Sequence, residues 1–424
     1  MATKRGFINL ISLLLTGALY SFLATGITTI RPGDQLNVSN TLVSANGIFT
    51  LGFFNLRGDS KNTYLGIWYT NRAKRVWVAN RDTPIFNNST VLTIDTTGKL
   101  VITSTGDDPI TLNSDQATGN ATATLEDTGN FVLTDGIEKR VLWQSFDYPT
   151  DSLLPGMKLG VNLKTGRNWT LTSWLSSDAV PASGPFTLSW DPTQDSGQLV
   201  IRRHGVLYWT SGVLANQAFE FMPGLNTPFS EYNYSLSNVS NQDGKYLTFS
   251  LTDQGSDNGS VTSMWVLESS GYIMEGRGNQ ILNPKWEDDL FCYGYESGSG
   301  CASATLPGCR SQHEKFESRT VSFGGTPTDD TNSSLSISDC WARCWNDCGC
   351  VGFTNISDNG TGCRIWSGNM EFRQVESGGV PAVYVLVPSN PAKDDGGIYS
   401  LLIGVAVGSM QVIFDYTECP IAFL

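Results

Sequence analysis

The sequence predicts a mainly β protein in which two successive all-β modules precede a separate, disulfide-stapled small region. Three observations predict it. Most of the chain is written in short β-type runs separated by Gly, Asn, Asp and Pro, with alternation in Lys99-Leu100-Val101-Ile102 and Asn130-Phe131-Val132-Leu133. A strand-turn-strand unit repeats: Gly98-Lys99-Leu100-Val101-Ile102, Gly129-Asn130-Phe131-Val132-Leu133 and Gly197-Gln198-Leu199-Val200-Ile201 share one pattern, and Phe49–Phe53 is echoed in Phe186–Trp190. Such units cannot bury their apolar faces alone and must pack around a shared core. Cysteines begin only at Cys292 and then crowd together.

Length and composition agree. At about 150 residues per domain, 424 residues suit two or three domains. The net charge of −13 repels nucleic acid phosphates. Only 16% of residues are charged while glycine numbers 44, so long amphipathic helices are not expected, and no convincing helical period precedes residue 334. Two histidines, His204 and His313, leave little room for a His-ligated zinc or a Ser-His-Asp triad.

Residues 1–26 read as a secretory signal peptide, with Lys4 and Arg5, an apolar stretch from Phe7 to Leu23 and a small-residue exit at Ala24-Thr25-Gly26. The alternative is an N-terminal anchor; removal puts the mature start near Ile27. In the secretory pathway the sequons at Asn37, Asn87, Asn88, Asn120, Asn168, Asn233, Asn238, Asn258, Asn332, Asn355 and Asn359 become glycosylation candidates on exposed loops. A Pro/Asp/Gly linker over 389–397 leads into 398–414, seventeen uncharged residues interrupted by Gly404, Gly408, Ser409 and Gln411. That is at the lower limit for a bilayer span, and the tail 415–424 opens acidic where a cytoplasmic flank is basic. A truncated transmembrane helix is the expectation, with a secreted product as the alternative; the location is the plasma membrane's outer face or the extracellular space.

Cys292, Cys301, Cys309, Cys340, Cys344, Cys348, Cys350 and Cys363 form a disulfide framework with about 105 connectivities by count, leaving Cys419 in the tail. The Cys344-x3-Cys348-x-Cys350 spacing is too tight for the usual zinc pattern, and neither a metal nor a cofactor is expected. The tryptophans Trp68, Trp77, Trp143, Trp174, Trp190, Trp209 and Trp265 read as core or inter-sheet residues, with stacking on a sugar as the sharper alternative.

Longer runs carry a resemblance. Tyr64-Leu65-Gly66-Ile67-Trp68-Tyr69, the run Val76 to Ile85, and the run from Trp143-Gln144-Ser145-Phe146-Asp147-Tyr148-Pro149 to Gly160 resemble the bulb-type lectin part of plant S-domain (G-type lectin) receptor-like kinases and S-locus glycoproteins. Leu171-Thr172-Ser173-Trp174 and Tyr208-Trp209-Thr210-Ser211-Gly212 are similar to the S-locus glycoprotein region, although Val213-Leu214-Ala215-Asn216 replaces the usual Pro-Trp-Asn-Gly. The run Ser338 to Cys350, with Gly362-Cys363-Arg364-Ile365-Trp366, looks like the PAN/apple module. The resemblance implies tandem β-prism modules (27–155 and 156–290), a reduced EGF-like linker (291–322) and an α+β PAN domain (323–388). No kinase motif can be read in the chain, so catalysis is not expected. The family's PAN pattern implies Cys340–Cys363 and Cys344–Cys350; of the three pairings left for the other four, Cys292–Cys301 with Cys309–Cys348 is expected.

Family lectins bind mannose through a Gln-x-Asp-x-Asn-x-Val-x-Tyr strand, whose alternate polar side chains share one face. The repeats here read Asp95/Thr97/Lys99/Val101/Thr103, Glu126/Thr128/Asn130/Val132/Thr134 and Gln194/Ser196/Gln198/Val200/Arg202, none of them complete. Every copy lacks the Asp and the Tyr, which removes a charge-assisted bond to the sugar. Glu126, Thr128, Asn130, Val132 and Thr134 are the best-preserved candidate site. The function implied is non-catalytic extracellular recognition of a carbohydrate or protein ligand, in pollen or self-incompatibility-like or defence signalling, by a kinase-less receptor or decoy. The partners implied are a second copy or a full-length S-domain receptor kinase, and no nucleic acid. The alternatives are a mannose-binding lectin and, more remotely, a glycosidase using Asp147 and Asp151, whose Tyr-Pro-Thr-Asp setting reads as a turn.

Overall fold

The computed structural model describes residues 27–388 except 57–58, 73, 87–88, 114–119, 137–138, 177–178, 226–231, 253–262, 276–279, 284–290, 295–298, 369–371 and 375–381. The leader read over 1–26, the sequons at Asn87, Asn88 and Asn258, the span 398–414 and Cys419 lie outside the described residues.

Three four-stranded antiparallel sheets build the first module. Their orders are Thr29–Ile30, Thr122–Leu125, Phe131–Thr134, Val141–Gln144; then Gln35–Asn37, Val91–Ile94, Leu100–Thr103, Ile110–Thr111; then Thr41–Val43, Phe49–Leu56, Asp59–Tyr69, Arg75–Val78. The N-terminal stretch gives one short strand to each sheet, which ties the three hairpin units into a prism. Val91–Ile94 and Thr122–Leu125 bury every second residue, as period-2 alternation requires, and Leu51, Leu65, Ile67, Leu92, Leu100, Phe131 and Leu133 are fully buried.

One turn recurs. Asp95 N–H donates to Lys99 O and Gly98 N–H to Asp95 O; Glu126 and Gly129 repeat this with Asn130, and Glu268 and Gly271 with Tyr272, at 2.8–3.0 Å. The glycines sit at φ +78°, +85° and +88°, the left-handed region that disfavours a side chain. A second device recurs beside it. Buried polar side chains cap strand N–H groups: Leu65 donates to Asn80, Leu100 to Asn113, Phe131 to Ser145, Leu199 to Ser211 and Ile273 to Asn283, at 2.7–2.9 Å. Each cap avoids the ~1–3 kcal/mol penalty of an unpaired buried donor. The third copy of the sequence repeat is out of step. Gly197 opens strand Gly197–Arg203 with no such turn, and is small because the Trp190 ring would stand 2.3 Å from its Cβ. The Gly271 turn carries the true counterpart.

The second module repeats the architecture. Its sheets run Ser152–Leu153, Trp265–Leu267, Ile273–Glu275, Gln280–Ile281; Asn168–Trp169, Leu159–Asn162, Gly244–Leu251, Tyr234–Ser240; and Leu171–Ser176, Val180–Pro192, Gly197–Arg203, Val206–Val213. Ser152–Leu153 thus pairs within this module. Trp190, Trp209 and Trp265 are buried in it, and Trp265 stacks on Phe249 at 4.8 Å.

The third region is a five-stranded sheet, Glu314–Arg319, Val383–Pro388, Cys350–Asn355, Cys363–Ser367, Thr328–Asp330, with the helix Ile337–Asn346. Glu314–Arg319 pairs along its length with Val383–Pro388, so this sheet reaches back into the segment read as linker. The helix starts at a capping box: Ser336 Oγ accepts from Asp339 N, and Asp339 Oδ2 accepts from Ser336 N. It ends where Arg310 donates to the carbonyls of Cys344, Trp345, Asp347 and Cys350. Trp341 and Trp345 bury its inner face on Phe291 and Tyr293. Disulfides join Cys340 to Cys363, Cys344 to Cys350, Cys309 to Cys348 and Cys292 to Cys301.

Candidate functional site

The five candidate residues do not line one strand face. Strand Phe131–Thr134 begins only after the Gly129 turn, so Glu126 and Thr128 stand exposed in the turn while Val132 and Thr134 are on the strand. The reason is the Glu126–Asn130 backbone closure, which bends the chain where the polar pattern alone reads as extended. Thr128 Oγ1 donates to Glu126 Oε2 at 3.2 Å, Val132 is buried, and the Thr134 hydroxyl pairs with that of Thr122 at 3.1 Å.

Asn130 is 7% exposed, and both polar atoms of its amide are bonded inside the protein. Nδ2 donates to Gln144 Oε1 at 2.9 Å, while Oδ1 accepts from Ser145 Oγ and Phe146 N, both at 3.2 Å. The chain of bonds continues outward. Gln144 donates to Asp147 Oδ2 at 3.1 Å, and Asp147 also accepts from Trp169 Nε1 at 2.9 Å and pairs with Arg167 at 3.2 Å. Arg167 lies 4.5 Å over the Tyr148 ring, which stacks in turn on Trp143. In the other copies, Asp95 closes its own turn onto Thr97 and Lys99, Ser196 bonds Leu214 O, and Arg202 bonds Ser189.

The run Val76 to Ile85 clamps the two modules together. Arg81, 8% exposed, donates Nε to Pro181 O, one terminal nitrogen to Thr172 O and the other to Ser173 O, at 2.8, 2.9 and 2.6 Å. Burial pulls its pKa below the ordinary arginine value, against the opposing pull of Asp151 and Asp82. Asp82 accepts from Ser183 N and Oγ, Trp77 donates to Tyr148 O, and Tyr69 OH donates to Ser263 O. Asp147 and Asp151 both sit at this junction, Asp151 only 1% exposed. Asp147 is part-exposed, and its two oxygens are taken up by Gln144, Trp169 and Arg167. Sequence reasoning missed the clamp, because the partners of Arg81 lie some hundred residues away.

A second junction binds the prism to the helical region. Arg203 and His204 both donate to Asp339 Oδ1, at 2.6 and 2.7 Å, while Ser336 N and Oγ hold Oδ2. Burial pushes the Asp339 carboxyl upward, but the bonds from Ser336 and His204 and the Arg203 charge outweigh it and hold the group below the usual carboxylate range. Among the described residues, no cluster of His, Cys, Asp and Glu could hold a metal, and no helix is long and apolar enough to cross a membrane.

Comparison with known proteins bears on both regions. A family model described as D-mannose binding lectin matches residues 75–175, and one described as PAN-like domain matches residues 309–371. The chain is 34% identical over 386 residues to the G-type lectin S-receptor-like serine/threonine-protein kinase CES101 of Arabidopsis thaliana, covering 80% of this chain and 43% of that protein. The chain therefore spans less than half the length of that relative. It is 31% identical over 399 residues to the S-locus-specific glycoprotein BS29-2 of Brassica oleracea var. alboglabra, covering 82% of this chain and 89% of that protein. Among solved structures, a monomeric monocot mannose-binding lectin from Gastrodia elata matches 28% of this chain and 93% of its own at 21% identity and a TM-score of 0.23, a likeness too slight to carry argument.

Proposed function

The chain belongs to the family of S-locus glycoproteins and G-type lectin S-receptor-like kinases, and on that footing we propose that it is a non-catalytic extracellular recognition protein whose lectin-type modules serve as the scaffold for a secreted protein ligand. The observation that carries this reading is Asn130. It is the one amide that the best-preserved repeat keeps from the mannose pattern, and both of its polar atoms are already bonded within the protein. A sugar hydroxyl would have to replace bonds that hold a strand and a turn, at a net loss of about 1 kcal/mol for each one broken.

The clamp at Arg81 and the junction at Asp339 support the same reading, since modules held in fixed relation present one extended surface. The partner on the membrane is a full-length S-domain receptor kinase, or a second copy of the chain, and the setting is the cell surface or the extracellular space. Direct mannose binding is the second reading; the match of residues 75–175 to the D-mannose binding lectin model favours it.

A glycan array probed with the purified, glycosylated protein separates the two. The proposal expects no saturable signal from a folded, disulfide-bonded sample, together with co-purification of a receptor ectodomain or a secreted protein. Saturable binding competed by free mannose would give the lectin reading precedence.

A further inference from the structure

Three of the sequons fall on sheet edges. Asn37 ends strand Gln35–Asn37, Asn168 opens strand Asn168–Trp169, and Asn238 lies within Tyr234–Ser240; each of these is the outermost strand of its sheet. We propose that N-linked glycans on edge-strand asparagines, Asn238 above all, close open sheet edges against strand pairing with a second copy of the chain. The proposal rests on the reading of this protein as one that passes through the secretory pathway.

Tyr234–Ser240 is where the argument is strongest. Both the N–H and the C=O of Leu236 turn away from the neighbouring strand Gly244–Leu251 and bond the side-chain amide of Gln217, at 2.6 and 3.0 Å. The odd-numbered backbone groups turn inward, as Asn233 O shows by accepting from Thr252 N and Asn241 N–H by donating to Gly244 O. In an antiparallel pair the direction alternates residue by residue, so Asn238, two residues beyond Leu236, also presents its N–H and C=O outward. Gln217 covers the edge at Leu236. Ser237, Asn238 and Ser240 are exposed, and the segment Tyr-Ser-Leu-Ser-Asn-Val-Ser contains neither charge nor proline. That composition on an open edge is a template for another chain.

The module's other long outer strand is handled differently. Val206–Val213 is covered by the segment held by Cys292–Cys301: Thr210 N–H donates to Gly300 O and Ala302 N–H to Tyr208 O, both at 2.9 Å. One long edge has a strip of chain over it, and the other has an exposed asparagine followed by Val239 and Ser240. A glycan there is bulky and hydrated, and it stands beside the outward-facing N–H and C=O of Asn238.

The test uses the full chain from a glycosylating host. Glycopeptide mass spectrometry reads site occupancy, and light scattering after size exclusion reads mass for the wild type, Ser240→Ala, and Ser334→Ala, which removes the loop sequon at Asn332. Occupancy at Asn238, a shift of Ser240→Ala to species larger than the wild type, an unshifted Ser334→Ala, and return to the wild-type mass on adding Ser237→Lys are expected. Folded wild type trimmed with an endoglycosidase must shift in the same way, which removes folding during synthesis from the comparison. An unoccupied Asn238 beside other occupied sequons, or a trimmed protein that keeps its original mass, overturns the inference alone. No occupancy at any sequon would overturn the secretory reading beneath it.

Discussion

Replacing Arg81 by methionine tests the clamp between the prisms. The substitution keeps an unbranched stem of similar reach and removes three hydrogen bonds, to the carbonyls of Pro181, Thr172 and Ser173. Bonds from a charged donor contribute about 1.5–3 kcal/mol each, and a buried carbonyl left without its donor costs ~1–3 kcal/mol, so three together cost at least ~3–5 kcal/mol. The lower figure is the better guide, because desolvation of the guanidinium already offsets part of the gain. For a cooperative unit of about 150–250 residues, ~3–5 kcal/mol corresponds to a fall in Tm of about 6–20 °C. Arg81→Lys should recover little of it, since a single ammonium cannot reach three carbonyls set around a planar fork. Differential scanning calorimetry measures this directly. Should Arg81→Met melt within about 2 °C of the wild type, a shift worth ~1 kcal/mol or less, the reasoning fails and the modules are held by their other contacts.

Other perturbations follow from the same contacts. Gly129→Ala forces a side chain into a left-handed residue and within 2.8 Å of Phe49 and Leu154, so urea unfolding should show a loss of about 2–5 kcal/mol. Asp339 is held below its ordinary pKa, so its contribution is complete above the unfolded-state value near 4 and disappears as pH falls through the lower folded value. Wild type should therefore lose melting temperature below about pH 4, and Asp339→Asn should start lower and lose less over that range. Converting Cys309 and Cys348 together to serine opens a link between residues 39 apart and should cost ~2–4 kcal/mol in chemical unfolding.

The legible part of the sequence was its local order. Alternation and glycine turns marked the hairpins at Gly98 and Gly129, and the crowded cysteines marked the stapled region, because each signal acts within a few residues. The helix Ile337–Asn346 starts at a signal of the same local kind, the capping box of Ser336 and Asp339, which the sequence reading did not single out. What stayed hidden was set by long-range pairing. Arg81 meets Pro181 and Arg203 meets Asp339 only after the sheets have assembled, and Gly197 was put in register with Gly129 although its smallness answers to Trp190. The mannose-type pattern misled in a different way. Polar residues two apart read as one strand face, whereas the Glu126–Asn130 turn divides the set and the caps on Ser145 and Phe146 take up the Asn130 amide. Edge strands were equally invisible, because whether Asn238 lies on an outer strand depends on which strands pair, not on its neighbours in sequence.

The most direct test of the central claim, that Asn130 holds the fold rather than a sugar, is a titration of methyl mannoside into wild type and Asn130→Ala, with the melting temperature of each measured on the same samples. The account predicts no saturable binding by either protein and a destabilised Asn130→Ala, by about 1–3 kcal/mol for the partners left unpaired. Saturable binding by the wild type that Asn130→Ala abolishes, with an unchanged melting temperature, would contradict it and make the amide a ligand for sugar.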